Sequence, residues 1–221
     1  MLDALMRRFD RRCLVDEARW IVLDVESSGL DPQRDRLLAI AAIGVHFDAG
    51  APHIHLGDSF EVVLRQSDAP DPPDKVNILL HRIGVGAQRA GVEPARAPAA
   101  FEAWAGSAPR VAFHAAFDRT LIERARARPA AAAALGQHPH PVWLDLEPLA
   151  AVLYPEVRAR ALDDWLAHFR IDCAVHHQAA ADTVATAELM LTLWPALRRE
   201  LAQPRIADVA ALAARRRWLQ R

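Results

Sequence analysis

The run Trp20-Ile21-Val22-Leu23-Asp24-Val25-Glu26-Ser27-Ser28-Gly29-Leu30 constrains this chain more than any other segment. Ile21, Val22, Leu23 and Val25 read as a central buried strand. Side chains two apart on a strand share a face, so Asp24 and Glu26 project together and offer two oxygen donors side by side. The strand then breaks at Ser27-Ser28-Gly29-Leu30, where Gly29 can bring backbone close to a ligand, and Asp31-Pro32 continues the turn. Open sheets place their sites at such strand ends. Taken alone, however, an acid pair after an apolar run is also an ordinary solvated strand end.

Two further segments change that balance. Val111-Ala112-Phe113 reads as a short buried strand running straight into a helix whose inner face carries Phe117, Leu121 and Ala125. Asp118 falls in the first turn of that helix, where the macrodipole favours negative charge; such an acid is also a common stabilising feature. From Gln178 to Leu193 an Ala/Val/Leu pattern suits a longer helix, expected to end at Trp194-Pro195. Asp182 shares a stripe with Ala185 and Leu189 and therefore faces inward, which is unusual for an unpaired acid. His177, five positions before Asp182, is expected in the entry loop rather than on Asp182's face. Buried carboxylates are costly without a counter-charge. These segments contain no run of Lys or Arg to supply it, so if the acids converge, divalent cations are the natural counter-charge.

The ordered combination D-x-E-S-S-G-L, H-x-x-F-D and H-x-x-x-x-D before an Ala-rich helix resembles the DEDD 3′-5′ exonucleases with a histidine-type third motif. The proofreading epsilon subunit of DNA polymerase III, ribonuclease T and oligoribonuclease belong to that superfamily. The resemblance spans about Trp20 to Trp194. Asn77-Ile78-Leu79-Leu80-His81-Arg82-Ile83-Gly84 resembles the family segment near the terminal nucleotide, and Val142-Trp143-Leu144-Asp145-Leu146 the strand-to-helix passage after the second motif. Ala115 departs from the Asn that many relatives carry, removing a hydrogen bond near the site.

What the resemblance implies is an α/β fold, a ribonuclease-H-like mixed sheet with flanking helices, and release of nucleoside 5′-monophosphates from a single-stranded or frayed 3′ end, DNA favoured. It implies two Mg²⁺ or Mn²⁺ ions on Asp24, Glu26, Asp118 and Asp182. Asp24 would be shared, Glu26 and Asp182 would serve the nucleophile side, and Asp118 would serve mainly the other ion through water. His177 would be the general base, since an imidazole titrating near about 6.5 suits proton removal near neutral pH. Ser27, Gly29, Leu30, His81 and His114 are the expected substrate contacts. An exoribonuclease with the same site, or a weakly active scaffold docking a polymerase, are the competing readings.

Hard oxygen ligands suit these ions, whereas the two cysteines, Cys13 and Cys173, form no C-x-x-C pair, so a zinc finger is unsupported. His53-x-His55, in an expected strand, and His138-x-His140, in a Pro-rich loop, have no acid or thiol set beside them and read as solvated or structural. A net charge of −1 and a pI of about 6.8 argue against coating long stretches of nucleic acid, but not against gripping a few terminal nucleotides. Arg34, Arg36, Arg82, Arg119 and Arg124 could assist locally. The Arg215 to Arg217 run reads as a solvated helix end, or as a contact to a substrate backbone or acidic partner.

With 221 residues, the chain supports one substantial core. The expected organisation is an N-terminal helical extension (1–19), an exonuclease domain (20–197) and a basic helical tail (198–221). Three meander strands are expected near 19–25, 37–47 and 55–64, then helices near 76–80 and 97–105. A strand at 111–113, the helix of Asp118, a strand at 141–144 and helices near 146–153, 162–168 and 179–193 complete the pattern, with 130–134 a helix or linker. A charged N-terminus, scarce cysteine and the lack of a membrane-length apolar span point to a cytoplasmic protein. Its expected partners are a nucleic-acid 3′ end and a polymerase or other replication or repair protein.

Overall fold

The computed structural model describes residues 15–66, 78–79, 81–135, 141–173 and 178–216. Strands β1 (Arg19–Ser27), β2 (Leu37–Asp48) and β3 (Ala51–Val63) form an antiparallel meander. Helices α1 (Val85–Ala90) and α2 (Arg96–Ala105) follow, then β4 (Arg110–Ala112) and α3 (Ala115–Arg126). After α4 (Pro129–Leu135) come β5 (Trp143–Asp145), α5 (Leu146–Leu153), α6 (Leu162–Phe169), α7 (Ala179–Glu200) and α8 (Ile206–Ala213). The sheet order is β3-β2-β1-β4-β5, with β4 parallel to both β1 and β5. This mixed sheet with flanking helices agrees with the expected architecture.

β1 is central because it is apolar on both faces. Trp20 and Val22 enter one core with α5, α7 and α8, whereas Ile21, Leu23 and Val25 enter a second core with α2 and α3. Parity therefore turns Asp24 and Glu26 toward α7. Helix α7 is tied across the sheet where Thr183 Oγ1 donates to the Ala41 carbonyl at 3.2 Å.

Two expected boundaries are corrected. Strand β3 begins at Ala51 rather than near His55, because Ala49 and Gly50, at φ 50° and 80°, form a two-residue hairpin loop directly after β2. Helix α7 does not stop at Trp194-Pro195 but runs to Glu200. Proline removes one ladder bond and crowds a carbonyl, a cost of about 3 kcal/mol. Leu193 and Leu197, 1% and 2% exposed, offset it at about 1.5–3 kcal/mol each. Helix α1 was not expected. Residues 1–14, most of the expected N-terminal extension, lie outside the described residues, as do Asn77, Leu80, His138, His140 and the chain after Arg216.

Ion pairs fasten the frame behind the site. Around Ile43/Gly44 the register of β3 jumps, and Asp58 turns back over β2 to accept from Arg19 at 2.6 and 2.8 Å and to meet His46 Nε2 at 2.8 Å. The Arg19 hydrogen bonds hold the Asp58 carboxyl down at about 2. On the α2 side, fully buried Arg110 pairs with Glu102 at 3.3 Å, and Arg126 joins Glu102 at 3.2 Å, so one acid links β4, α2 and α3.

Candidate active site

The end of β1 carries the site. β4 is only three residues long, and its register with β1 covers Ile21 and Val22. Ile21 N–H donates to the Pro109 carbonyl at 2.8 Å, so the odd-numbered N–H groups of β1 point toward β4. By Val25 that neighbour has ended, and the Val25 backbone lies near enough to the Asp24 and Asp118 carboxyls to favour their charged forms. Asp118, 3% exposed in the first turn of α3, thus reaches the end of β1 from the second core. From the opposite side α7 brings its own first turn, where the Ala179 backbone favours the charged form of Glu26 and Asp182 repels it.

The four acids predicted from sequence are therefore brought into electrostatic contact. Asp24 is held well above the ordinary carboxylate range by burial first, then by Asp118, Glu26 and Asp182. Burial and Asp182 push Glu26 up to about 8, against the Ala179 hydrogen bond. Burial, opposed by the backbone hydrogen bonds and reinforced by Asp145 and Glu26, pushes Asp118 up to about 8. Two carboxyls pushed to about 8 and a third held above its ordinary range are what a buried negative cluster without matching arginines produces.

The cluster suits hard divalent cations. Every acid offers oxygen, the preference of Mg²⁺ and Mn²⁺. Glu26 Oε1 is buried and accepts no hydrogen bond, a donor atom that a cation would satisfy. Among the described residues, no three acid, His or Cys side chains are drawn tightly enough together to ligate one ion as they stand. The orphan Glu26 oxygen and the electrostatic contact of four oxygen-bearing side chains are what a divalent cation would answer.

The expected substrate residues stand in different settings. Ser27 Oγ bonds to the Gly29 carbonyl, and Ser28 Oγ donates to Asp35 at 3.0 Å. A Cβ at Gly29 would come within 2.5 Å of Asp35 Oδ2, so any larger residue there must displace the Asp35 carboxylate. Leu30 stands 93% exposed beyond it. His81 is 3% exposed, and its Nδ1 accepts the Ile83 N–H at 3.0 Å, so it braces a turn from inside. His114 is exposed in the left-handed region at φ 62°. His177 lies outside the described residues, one position before Gln178, the N-cap of α7.

Two residues went unassigned in the sequence reading. Cys173 Sγ lies 3.5 Å from Asp182 Oδ1, a pairing across nine positions with no periodic signal. Asp145 acts on Asp118 and hydrogen-bonds the His114 N–H at 3.0 Å. Its place at a strand end before a helix was the available clue. A cavity of about 600 Å³ beside it is lined by His114, Trp143, Glu147, Arg160 and Arg216, but by none of the four acids.

The sequence model of a family described as exonucleases matches residues 21–190. PolC-type DNA polymerase III of Bacillus subtilis (strain 168) is 28% identical over 198 residues, covering 81% of this chain and 12% of that protein. The Staphylococcus aureus protein of the same description is 26% identical over 191 residues, with 81% and 12% covered. The chain thus spans about an eighth of those polymerases. Among solved structures, E. coli exonuclease I with a dT13 oligonucleotide superposes at a TM-score of 0.67 and 18% identity, covering 84% of this chain and 43% of that one. The exonuclease I/SSB-Ct complex gives 0.66 and 19%, with 83% and 42% covered. The likeness extends to the ribonuclease-H-like fold.

Proposed function

The chain belongs to the exonuclease family, enzymes that hydrolyse phosphodiester bonds, and on that premise we propose how it acts. It removes nucleoside 5′-monophosphates stepwise from the 3′ end of single-stranded or frayed nucleic acid, DNA favoured. The carrying observation is the convergence of Asp24, Glu26, Asp118 and Asp182 at the end of β1, with burial and mutual repulsion raising three of them. A preference for DNA is supported by solved relatives holding dT13 and dA16 oligonucleotides. A polymerase, or another replication or repair protein, is the partner class we propose, from the likeness to PolC-type polymerases. No helix among the described residues is long and apolar enough to cross a membrane.

The four acids would hold two Mg²⁺ or Mn²⁺ ions. Bound there, the ions supply positive charge that offsets the phosphate and eases loss of a proton from water. His177 takes that proton, and the attacking oxygen bonds to phosphorus as the bond to the preceding nucleotide's 3′ oxygen breaks. The products are a 5′-monophosphate and a shortened strand with a free 3′ hydroxyl. The Gly29 loop, fixed by Asp35, sets Leu30 against the terminal base, while His81 acts through its turn and His114 borders the incoming strand.

The test uses 5′-labelled single-stranded DNA, mismatched duplex and RNA with Mg²⁺, Mn²⁺ or chelator. Stepwise shortening that requires a divalent ion and collapses in Asp24→Ala and Asp182→Ala is the expected result. In His177→Ala, turnover should fall strongly with ion binding retained. A folded wild type that leaves every substrate intact overturns this reading and makes a non-catalytic scaffold the better one; cleavage of RNA alone would assign the exoribonuclease.

A further inference from the structure

Asp145 closes β5 and sits opposite Ala112 of β4, so its carboxylate stands where two strands hand over to two helices. Its Oδ1 accepts the Glu147 N–H at 3.1 Å, capping α5, and the His114 N–H at 3.0 Å. The Ala115 backbone, at the first position of α3, lies near enough to favour its charged form as well. One side chain therefore satisfies donors at the starts of both helices.

The second of these contacts matters for the acids. His114 is non-glycine in the left-handed region, a conformation that persists only where surroundings fix it. That turn swings the chain out of β4 into α3, and the Phe117 N–H then bonds to the His114 carbonyl at 2.9 Å. Asp118 follows immediately, and its carboxylate must lie near the Val25 backbone. Any relaxation at His114 would be carried into Asp118 by the rigid first turn. Arg216, just after α8, pairs with Glu147 at the same corner.

We propose that Asp145 is a positioning residue for the divalent-cation site: by clamping the His114 turn it sets the first turn of α3, and with it Asp118, at the end of β1. This rests on the exonuclease reading of the four acids. Removing groups that orient ligands in this way costs about tenfold to a hundredfold in ion affinity or activity.

Three full-chain variants separate positioning from plain helix capping. Asp145→Asn keeps an acceptor of the same reach. Asp145→Ser still caps α5 but is too short to span to His114. Asp145→Ala loses both contacts. Binding of Mn²⁺ alone is measured by calorimetry, and kcat and KM on an oligonucleotide, each well below the variant's unfolding temperature. Asp145→Asn should stay within about threefold of wild type, whereas Asp145→Ser should lose about tenfold in Mn²⁺ affinity and in kcat with KM little changed. Asp145→Ala should be at least as impaired as Asp145→Ser. A folded Asp145→Ser with wild-type Mn²⁺ affinity and kcat overturns the proposal, and so does Asp145→Asn failing as badly as Asp145→Ser. A wild type that binds Mn²⁺ but cleaves nothing sinks the exonuclease reading and leaves the Mn²⁺ comparison to decide this one; a wild type that binds no Mn²⁺ sinks both.

Discussion

Raising the pH in the presence of a chelator should destabilise this protein through its acid cluster. Asp118 moves from 3.8 to about 8 and Glu26 from 4.5 to about 8 on folding, so between those limits the folded chain binds more protons than the unfolded one. Stability must then fall as pH rises through that window, reversing the usual carboxylate trend. One carboxyl protonated only in the folded state contributes a slope of about 1.4 kcal/mol per pH unit, or about 4 kcal/mol between about pH 5 and pH 8. Two such groups would double that figure. Part of Asp118's shift is repulsion from Glu26, so the two shifts overlap rather than add, and partial water access at Glu26 reduces its share. The expected net loss is about 2–4 kcal/mol, roughly 5–15 °C in Tm for a chain of this size. Thermal unfolding followed by circular dichroism in chelator should show that fall in wild type and a shallower one in Glu26→Gln and Asp118→Asn. Millimolar Mn²⁺ should restore most of the lost stability at about pH 8 and little at about pH 5, where protons already neutralise the site. A flat or rising wild-type curve in chelator, or an unchanged slope in both variants, would refute the argument that the four acids share one buried field.

Three further outcomes follow from the frame around the site. Glu102→Ala leaves the fully buried Arg110 and its neighbour Arg126 without their acid and should cost about 3–5 kcal/mol in urea unfolding; a loss below about 1 kcal/mol would show that the triad contributes little. Gly29→Ala forces its Cβ against Asp35 and should raise KM for an oligonucleotide about tenfold while stability changes by less than about 1 kcal/mol, and an unchanged KM would separate this loop from substrate binding. Pro195→Ala supplies the missing N–H within α7 and relieves crowding at Leu191, so stability should rise by about 1–2 kcal/mol by the same assay; a loss would mean that proline's restriction of the unfolded chain outweighs the helix bond.

Much of the acid constellation was legible because period and position carry it. Alternation put Asp24 and Glu26 on one face of a strand, and β1 extends through both. A first-turn assignment placed Asp118, and the Ala185/Leu189 stripe placed Asp182 beside a buried helix face. Features built from one-off side-chain geometry were not legible. Asp145 stood out only as part of the passage 142–146, Cys173 only as a cysteine outside any C-x-x-C pair, and nothing local singled out Glu102. Each acquires its role from a partner eight to 31 positions away. Pro195 misled because local propensity weighs a missing hydrogen bond but not the burial of Leu193 and Leu197 on either side.

The order of strands and helices, the two-faced apolar β1 and the acid types were determined by the chain itself, because periodicity and side-chain chemistry are local properties that survive in any context. That four carboxyls meet was decided only when β4 ended before Val25, leaving room at the end of β1 for Asp118 of α3 from one core while α7 approached from the other. Strand length against a neighbour and the angle of a helix leaving a left-handed turn are set by packing across the whole sheet, and no stretch of sequence encodes them alone.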